Sequence, residues 1–141
     1  MVNKMKMLSM FVLLAVASAN MSLNELEIGQ TCNSNGGFTV TSFSVSPYPP
    51  VGCAVQAVTM TGTFTVDTCP SQINIRETYN DSQNYSQNIN ISACYKKGDV
   101  NSFQFNINTF NCSPGSYKIQ VALQVQNPQS TLSCWQYTYT L

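Results

Sequence analysis

From Tyr117 to Val125 every odd position is aromatic or aliphatic, and every even one is Lys, Gln or Ala. That is the period-two pattern of a strand with one buried face. Pro114-Gly115 turns the chain into it. A half-buried strand needs a second layer, so the rest of the sequence is read for what covers Tyr117, Ile119, Val121, Leu123 and Val125. In Phe38 to Val45 the phase changes between Val40 and Phe43, which predicts a bulge near Thr41-Ser42. Pro47, Pro49 and Pro50 end that strand. Val58, Met60, Gly62, Phe64 and Val66 then alternate with Thr59, Thr61, Thr63 and Thr65. Gly62, on the inward face, serves either close packing or a widened interior.

A third strand is expected near Ile73 and Ile75. Asn80 to Asn90 reads as a polar connection with a short strand ending at Ile89 and Ile91. Phe103, Phe105 and Ile107 mark another strand. In the last, Leu132 to Leu141, Trp135, Tyr137, Tyr139 and Leu141 share a face. No stretch beyond the N-terminal leader has a helical period. About seven short strands at turn-marked intervals predict an all-β, immunoglobulin-like antiparallel sandwich.

Residues 1–19 read as a signal peptide: Lys4 and Lys6, an apolar run from Met7 to Ala17, then the small-x-small site Ala17-Ser18-Ala19. The run is shorter than the roughly 20 residues that span a bilayer, which disfavours a membrane anchor. The mature domain is then 20–141, one ordinary domain, and its expected location is secreted, extracellular or the endolysosomal lumen. Six cysteines suit that compartment. With no His and no closely spaced cysteine pair, disulfides are favoured over zinc, and no metal site is expected.

Six cysteines allow 15 connectivities. A continuous strand from Val55 to Val66 spans about 40 Å, whereas bridged Cα atoms lie within about 7 Å. Cys53 and Cys69 should therefore not pair. In immunoglobulin-like order the second strand runs antiparallel to Phe103 to Ile107, which favours Cys53 with Cys112 and Cys69 with Cys94. Cys32 and Cys134 are left to tie the N-terminal segment to the last strand. A sharp bend at Gly62 would reopen the Cys53 to Cys69 pairing.

Charge and motif exclude more than they assign. The mature chain has Glu25, Glu27, Asp67, Glu77, Asp81 and Asp99 against Arg76, Lys96, Lys97 and Lys118, with no basic patch for nucleic acid. There is no His for a triad and no glycine-rich phosphate loop, so neither an enzyme nor a cofactor is expected. Glu77 and Asp81 read as solvated residues of the polar connection, and Lys96-Lys97 as a solvated turn. Asn80, Asn84, Asn90 and Asn111 each begin an N-glycan acceptor tripeptide.

Two stretches carry a family resemblance. Phe43-Ser44-Val45-Ser46-Pro47-Tyr48-Pro49-Pro50-Val51-Gly52, with the Thr-rich strand after it, resembles the N-terminal half of the ML, or lipid-recognition, family and its phosphatidylglycerol/phosphatidylinositol transfer proteins. Pro114-Gly115-Ser116-Tyr117-Lys118 and Leu132-Ser133-Cys134-Trp135 resemble the C-terminal half, the latter being similar to the Niemann-Pick type C lysosomal cholesterol carrier. The resemblance covers roughly Cys32 to Leu141. It implies a sandwich whose sheets admit one sterol or phospholipid into an internal apolar cavity, without covalent chemistry. It also implies the Cys32 to Cys134 bridge. The family's small loop closed by two nearby cysteines has no counterpart here, where Tyr48 and only Cys53 are found.

A monomeric lipid-binding and transfer protein with transient membrane contact is the reading that follows. Phe64, Phe103, Phe105, Val121, Leu123, Tyr137 and Tyr139 are the expected lipid-binding residues. The alternative is an immunoglobulin-like recognition or adhesion module with a closed core.

Overall fold

The computed structural model describes residues 28–141. The expected leader and residues 20–27 lie outside the described residues. A two-residue edge strand, β1 (Gln30–Thr31), precedes seven longer strands: β2 (Phe38–Ser46), β3 (Gln56–Phe64), β4 (Gln72–Tyr79), β5 (Gln83–Asn90), β6 (Val100–Ile107), β7 (Ser116–Gln126) and β8 (Gln129–Thr140). They form a five-stranded sheet in the order β1-β8-β7-β4-β5 and a three-stranded sheet in the order β2-β3-β6. All pairings are antiparallel. The sequence-predicted strands correspond to β2–β8, and the fold is an all-β, immunoglobulin-like sandwich.

The alternation explains the layers. In β7, Tyr117, Ile119, Val121 and Leu123 are buried, and each is flanked across the sheet by an inward residue of β4 and of β8. The facing layer comes from Phe38, Phe43 and Val45 of β2, Val58, Met60 and Phe64 of β3, and Phe103, Phe105 and Ile107 of β6. The bulge in β2 falls at Thr41, where the β2–β3 register slips between Val40 and Ser42. This returns Phe43 and Val45 to the inner face that Phe38 occupies. A second slip, opposite Leu123 and Gln124, turns Leu132 inward at the start of β8.

Gly62 is a close-packing position. A Cβ there would meet the Thr39 carbonyl and lie 2.6 Å from two ring carbons of Phe38. The Phe38 ring thus occupies the space the missing side chain leaves, and β3 runs through Gly62 without losing its pairing to either neighbour.

Three details differ from the sequence reading. The strand expected to reach Val66 ends at Phe64, and Val66 is exposed, because the chain leaves the sheet toward Cys69. The polar connection from Asn80 is mostly strand: Asn80 and Asp81, both at positive φ, make a tight turn, and β5 pairs with β4 from Gln83 onward. Its Asn, Gln and Ser residues alternate as an edge strand requires, so polarity there marks an exposed edge and not a loop. The third difference is Glu77, described below.

The disulfides join Cys32 to Cys134, Cys53 to Cys112 and Cys69 to Cys94. The β3–β6 antiparallel pairing on which the last two rested is present. Cys53–Cys112 connects the β2–β3 and β6–β7 loops at one end of the sandwich. Cys69–Cys94 connects the β3–β4 and β5–β6 loops at the other.

Candidate functional site

The interior changes character along its length. At the Cys69–Cys94 end it is hydrocarbon and aromatic: Phe38 packs on Phe64 at 4.7 Å between ring centroids and on Phe103 at 5.6 Å, and Tyr95 stacks on Phe64 at 4.3 Å. Phe43 occupies the middle, stacked on Trp135 at 5.7 Å. At the Cys53–Cys112 end the rings carry hydroxyls. Tyr117 stacks on Tyr139 at 5.0 Å and meets Tyr79 at 5.1 Å, and Tyr137 meets Tyr48 at 6.0 Å. Register builds this cluster, since Tyr79, Tyr117 and Tyr139 lie side by side on β4, β7 and β8.

Each hydroxyl with a resolved bond is committed. Tyr117 donates to the Ser113 carbonyl, Tyr79 to the Pro114 carbonyl at 3.0 Å, and Tyr48 to the Thr138 carbonyl at 2.7 Å. Tyr137 donates to Oε1 of Gln56 at 2.9 Å, and Gln56 in turn donates to the Pro47 carbonyl at 3.0 Å. The Tyr137 bond crosses from one sheet to the other, and the Tyr48 bond ties the β2–β3 loop to β8.

Glu77 lies among these rings. It is on the inner face of β4, paired with Ile119 of β7 and Tyr85 of β5, and is 1 % exposed. Both of its carboxylate oxygens are buried without a hydrogen-bond partner. Burial pushes the carboxyl above its ordinary range, and the nearby backbone N–H groups of Phe110 and Asn111 offset this in part. The effect is mutual: burial first, then neighbours that include Glu77, raises the Tyr117, Tyr137 and Tyr139 hydroxyls. Arg76 and Lys118 supply no countercharge, because their positions on β4 and β7 alternate to the outer face. The sequence reading placed Glu77 in solvent. The correction follows from β4, which continues inward-outward from Ile73 through Ile75 and Glu77 to Tyr79.

Phe110, which stacks on Tyr85 at 5.5 Å, covers Glu77 on the β5–β6 side. Beside that stack Gln87 bridges the seam between the sheets, donating to the Asn106 carbonyl at 3.1 Å and accepting from the Asn108 N–H at 3.2 Å. Phe110, Tyr48, Val51 and Val55 are exposed large hydrophobics on the two loops joined by Cys53–Cys112.

The expected lipid-binding residues are divided along this gradient. Phe64 and Phe103 belong to the phenyl end, and Phe105 lies opposite Val58 nearer the middle. Tyr137 and Tyr139 belong to the tyrosine end. Val121 and Leu123, central in the large sheet, expose none of their surface, so no space wide enough for water adjoins them. The side chains themselves fill the centre of the sandwich. Hollows open at its margins instead: one of about 420 Å³ beside Lys118, Asp81 and Thr138, and one of about 370 Å³ at the β2–β8 seam beside Phe38, Val40 and Ser133.

Elsewhere the polar groups form ordinary surface structure. Asp67 accepts from Lys96 Nζ at 3.3 Å and from the Lys97 N–H at 2.8 Å, and the Lys97 amide, with Lys96, holds its carboxyl below the ordinary range. Lys96-Lys97 is thereby a solvated turn. Among the described residues no group of His, Cys, Asp and Glu could hold a metal ion, and no helix is long and apolar enough to cross a membrane.

No protein-family model and no curated protein sequence matches the chain. Solved structures do match. The C-terminal domain of Wzt superposes with a TM-score of 0.64 at 19% identity, covering 85% of this chain and 88% of that one. A Niemann-Pick type C2 protein from Japanese carpenter ant superposes with a TM-score of 0.59 at 10% identity, covering 81% and 98%. The chain therefore shares a β-sandwich fold with these proteins. The motif resemblance to the lipid-recognition family has a structural counterpart in the second.

Proposed function

We propose that this protein is an exported carrier that holds one lipid between its two sheets and passes it on by partition. The supporting observation is the graded interior: phenyl rings at one end, tyrosines and a carboxyl at the other. An amphiphile has the same gradient, and burying its chain gains about 0.8 kcal/mol per methylene without any bond being made. Side chains now fill the centre, so uptake on this reading separates the sheets. The sheets share no strand-to-strand ladder, and their seams are crossed by side-chain bonds from Tyr137 and Gln87. The sterol or phospholipid implied by the motif resemblance is the first cargo to test.

A second reading has its own support. The full burial of Met60, Ile75, Val121 and Leu123 is what a closed recognition module would have. Native mass spectrometry of protein purified from the medium of eukaryotic cells, followed by organic extraction, separates the two. The carrier reading expects a one-to-one lipid adduct. A bare mass that persists after incubation with mixed liposomes overturns it in favour of the closed module.

A further inference from the structure

The geometry points to Glu77 as the receptor for a cationic amine, so that the lipid held here ends in an ammonium group lodged between Glu77 and the surrounding tyrosines. This rests on the carrier reading and specifies its cargo.

A carboxylate taken out of water carries a cost of several kcal/mol unless a cation or several donors meet it. Glu77 has neither. The hydroxyls of Tyr79, Tyr117 and Tyr137 are spent on Pro114, Ser113 and Gln56. All eight charged residues within the described chain can be placed. Asp67, Lys96, Lys97 and Asp99 belong to the opposite end, Asp81 to the β4–β5 turn, and Arg76 and Lys118 to positions on the outer face. Among the described residues no side chain is therefore in position to neutralise Glu77.

The surroundings match an ammonium better than any other donor. Tyr85 of β5 lies opposite Glu77, Tyr117 of β7 and Tyr137 and Tyr139 of β8 are near enough to feel its charge, and Tyr79 follows two residues on along the same strand. Aromatic faces attract a cation electrostatically, and more strongly where water is excluded. A carboxylate supplies the opposite charge at the same place. A fatty acid would set a second anion beside Glu77, and a sterol hydroxyl would leave the charge uncompensated. The site lies under the exposed Phe110 ring and its stack on Tyr85. Displacing that stack exposes Glu77 while the alkyl chain runs toward Phe43 and the phenyl end.

The test is competition against a bound fluorescent lipid by dodecylamine, dodecanol and dodecanoic acid, which share a chain and differ in the head. For the parent protein we expect dodecylamine to compete at least 10-fold better than dodecanol, with dodecanoic acid weakest. Glu77→Gln preserves shape and removes the charge. It should bring dodecylamine to within about 2-fold of dodecanol when both are measured on the variant. Dodecylphosphocholine separates two sources of the ammonium: competition equal to the amine assigns a zwitterionic phospholipid, and weaker competition a simple long-chain amine.

Equal competition by amine and alcohol in the parent, or an amine preference that survives in Glu77→Gln, overturns this inference and leaves the carrier reading standing. Failure of the parent protein to bind the fluorescent lipid and all four probes overturns both.

Discussion

At the scale of single residues, Glu77 links stability to pH. Burial raises its pKa in the folded protein, so the folded state keeps that proton at pH values where the unfolded chain has released it. Its contribution is therefore most favourable below the ordinary glutamate range and is lost as pH rises from there to the raised pKa. Each pH unit of that window is worth about 1.4 kcal/mol. The groups facing Glu77 are the tyrosines of β4, β5, β7 and β8 and the Phe110–Asn111 backbone, and burial moves the Tyr117, Tyr137 and Tyr139 hydroxyls further above that window. Urea denaturation of the parent and Glu77→Gln, in steps from about pH 4 to pH 8, should show the variant gaining relative stability through the window. A difference independent of pH would mean that Glu77 keeps its ordinary pKa. The position was readable in the sequence: Ile73, Ile75, Glu77 and Tyr79 keep one phase. The general rule that carboxylates are exposed outweighed that periodicity, and it fails where a site holds a charge.

At the scale of elements, hydrophobic alternation was sufficient wherever one face is apolar and the other is Thr, Gln or Lys. β3, β7 and the later part of β8 are such cases, and so is the bulge of β2, visible as a change of phase. β5 was harder to see. Its inward positions are Tyr85, Gln87 and Ile89, and its outward ones are Asn or Ser, so its hydrophobic contrast is slight. Such an edge strand is defined by its partner across the turn. Gly62 shows why an inward glycine is ambiguous in sequence, since the Phe38 ring that fills its place comes from a neighbouring strand. Gly62→Ala should destabilise the fold by about 1 to 3 kcal/mol through overpacking. A lowered thermal midpoint checks this, and an unchanged one would show that Phe38 can move aside.

At the scale of the whole molecule, the cysteine pairing was legible because rigid strands keep their ends apart and because immunoglobulin-like order sets β3 beside β6. The division of the interior into phenyl and tyrosine ends was not. It depends on cross-strand register, which places Tyr79, Tyr117 and Tyr139 abreast. The Cys32–Cys134 bridge spans 102 residues of chain and fastens the segment before β2 to β8. Replacing both cysteines with Ala should lower stability by about 2 to 5 kcal/mol, seen as a fall in the denaturation midpoint. An unaltered midpoint would mean that the Cys32 N–H to Cys134 carbonyl bond and the β1–β8 pairing suffice. The absence of a ladder between the sheets has a spectroscopic consequence. Every backbone ladder bond of the described strands belongs to one sheet or the other, so parting the two layers breaks only side-chain bonds and exposes rings and methyls while leaving those amides protected. Amide exchange would register such breathing weakly, whereas aromatic ring-flip rates and side-chain relaxation would report it directly.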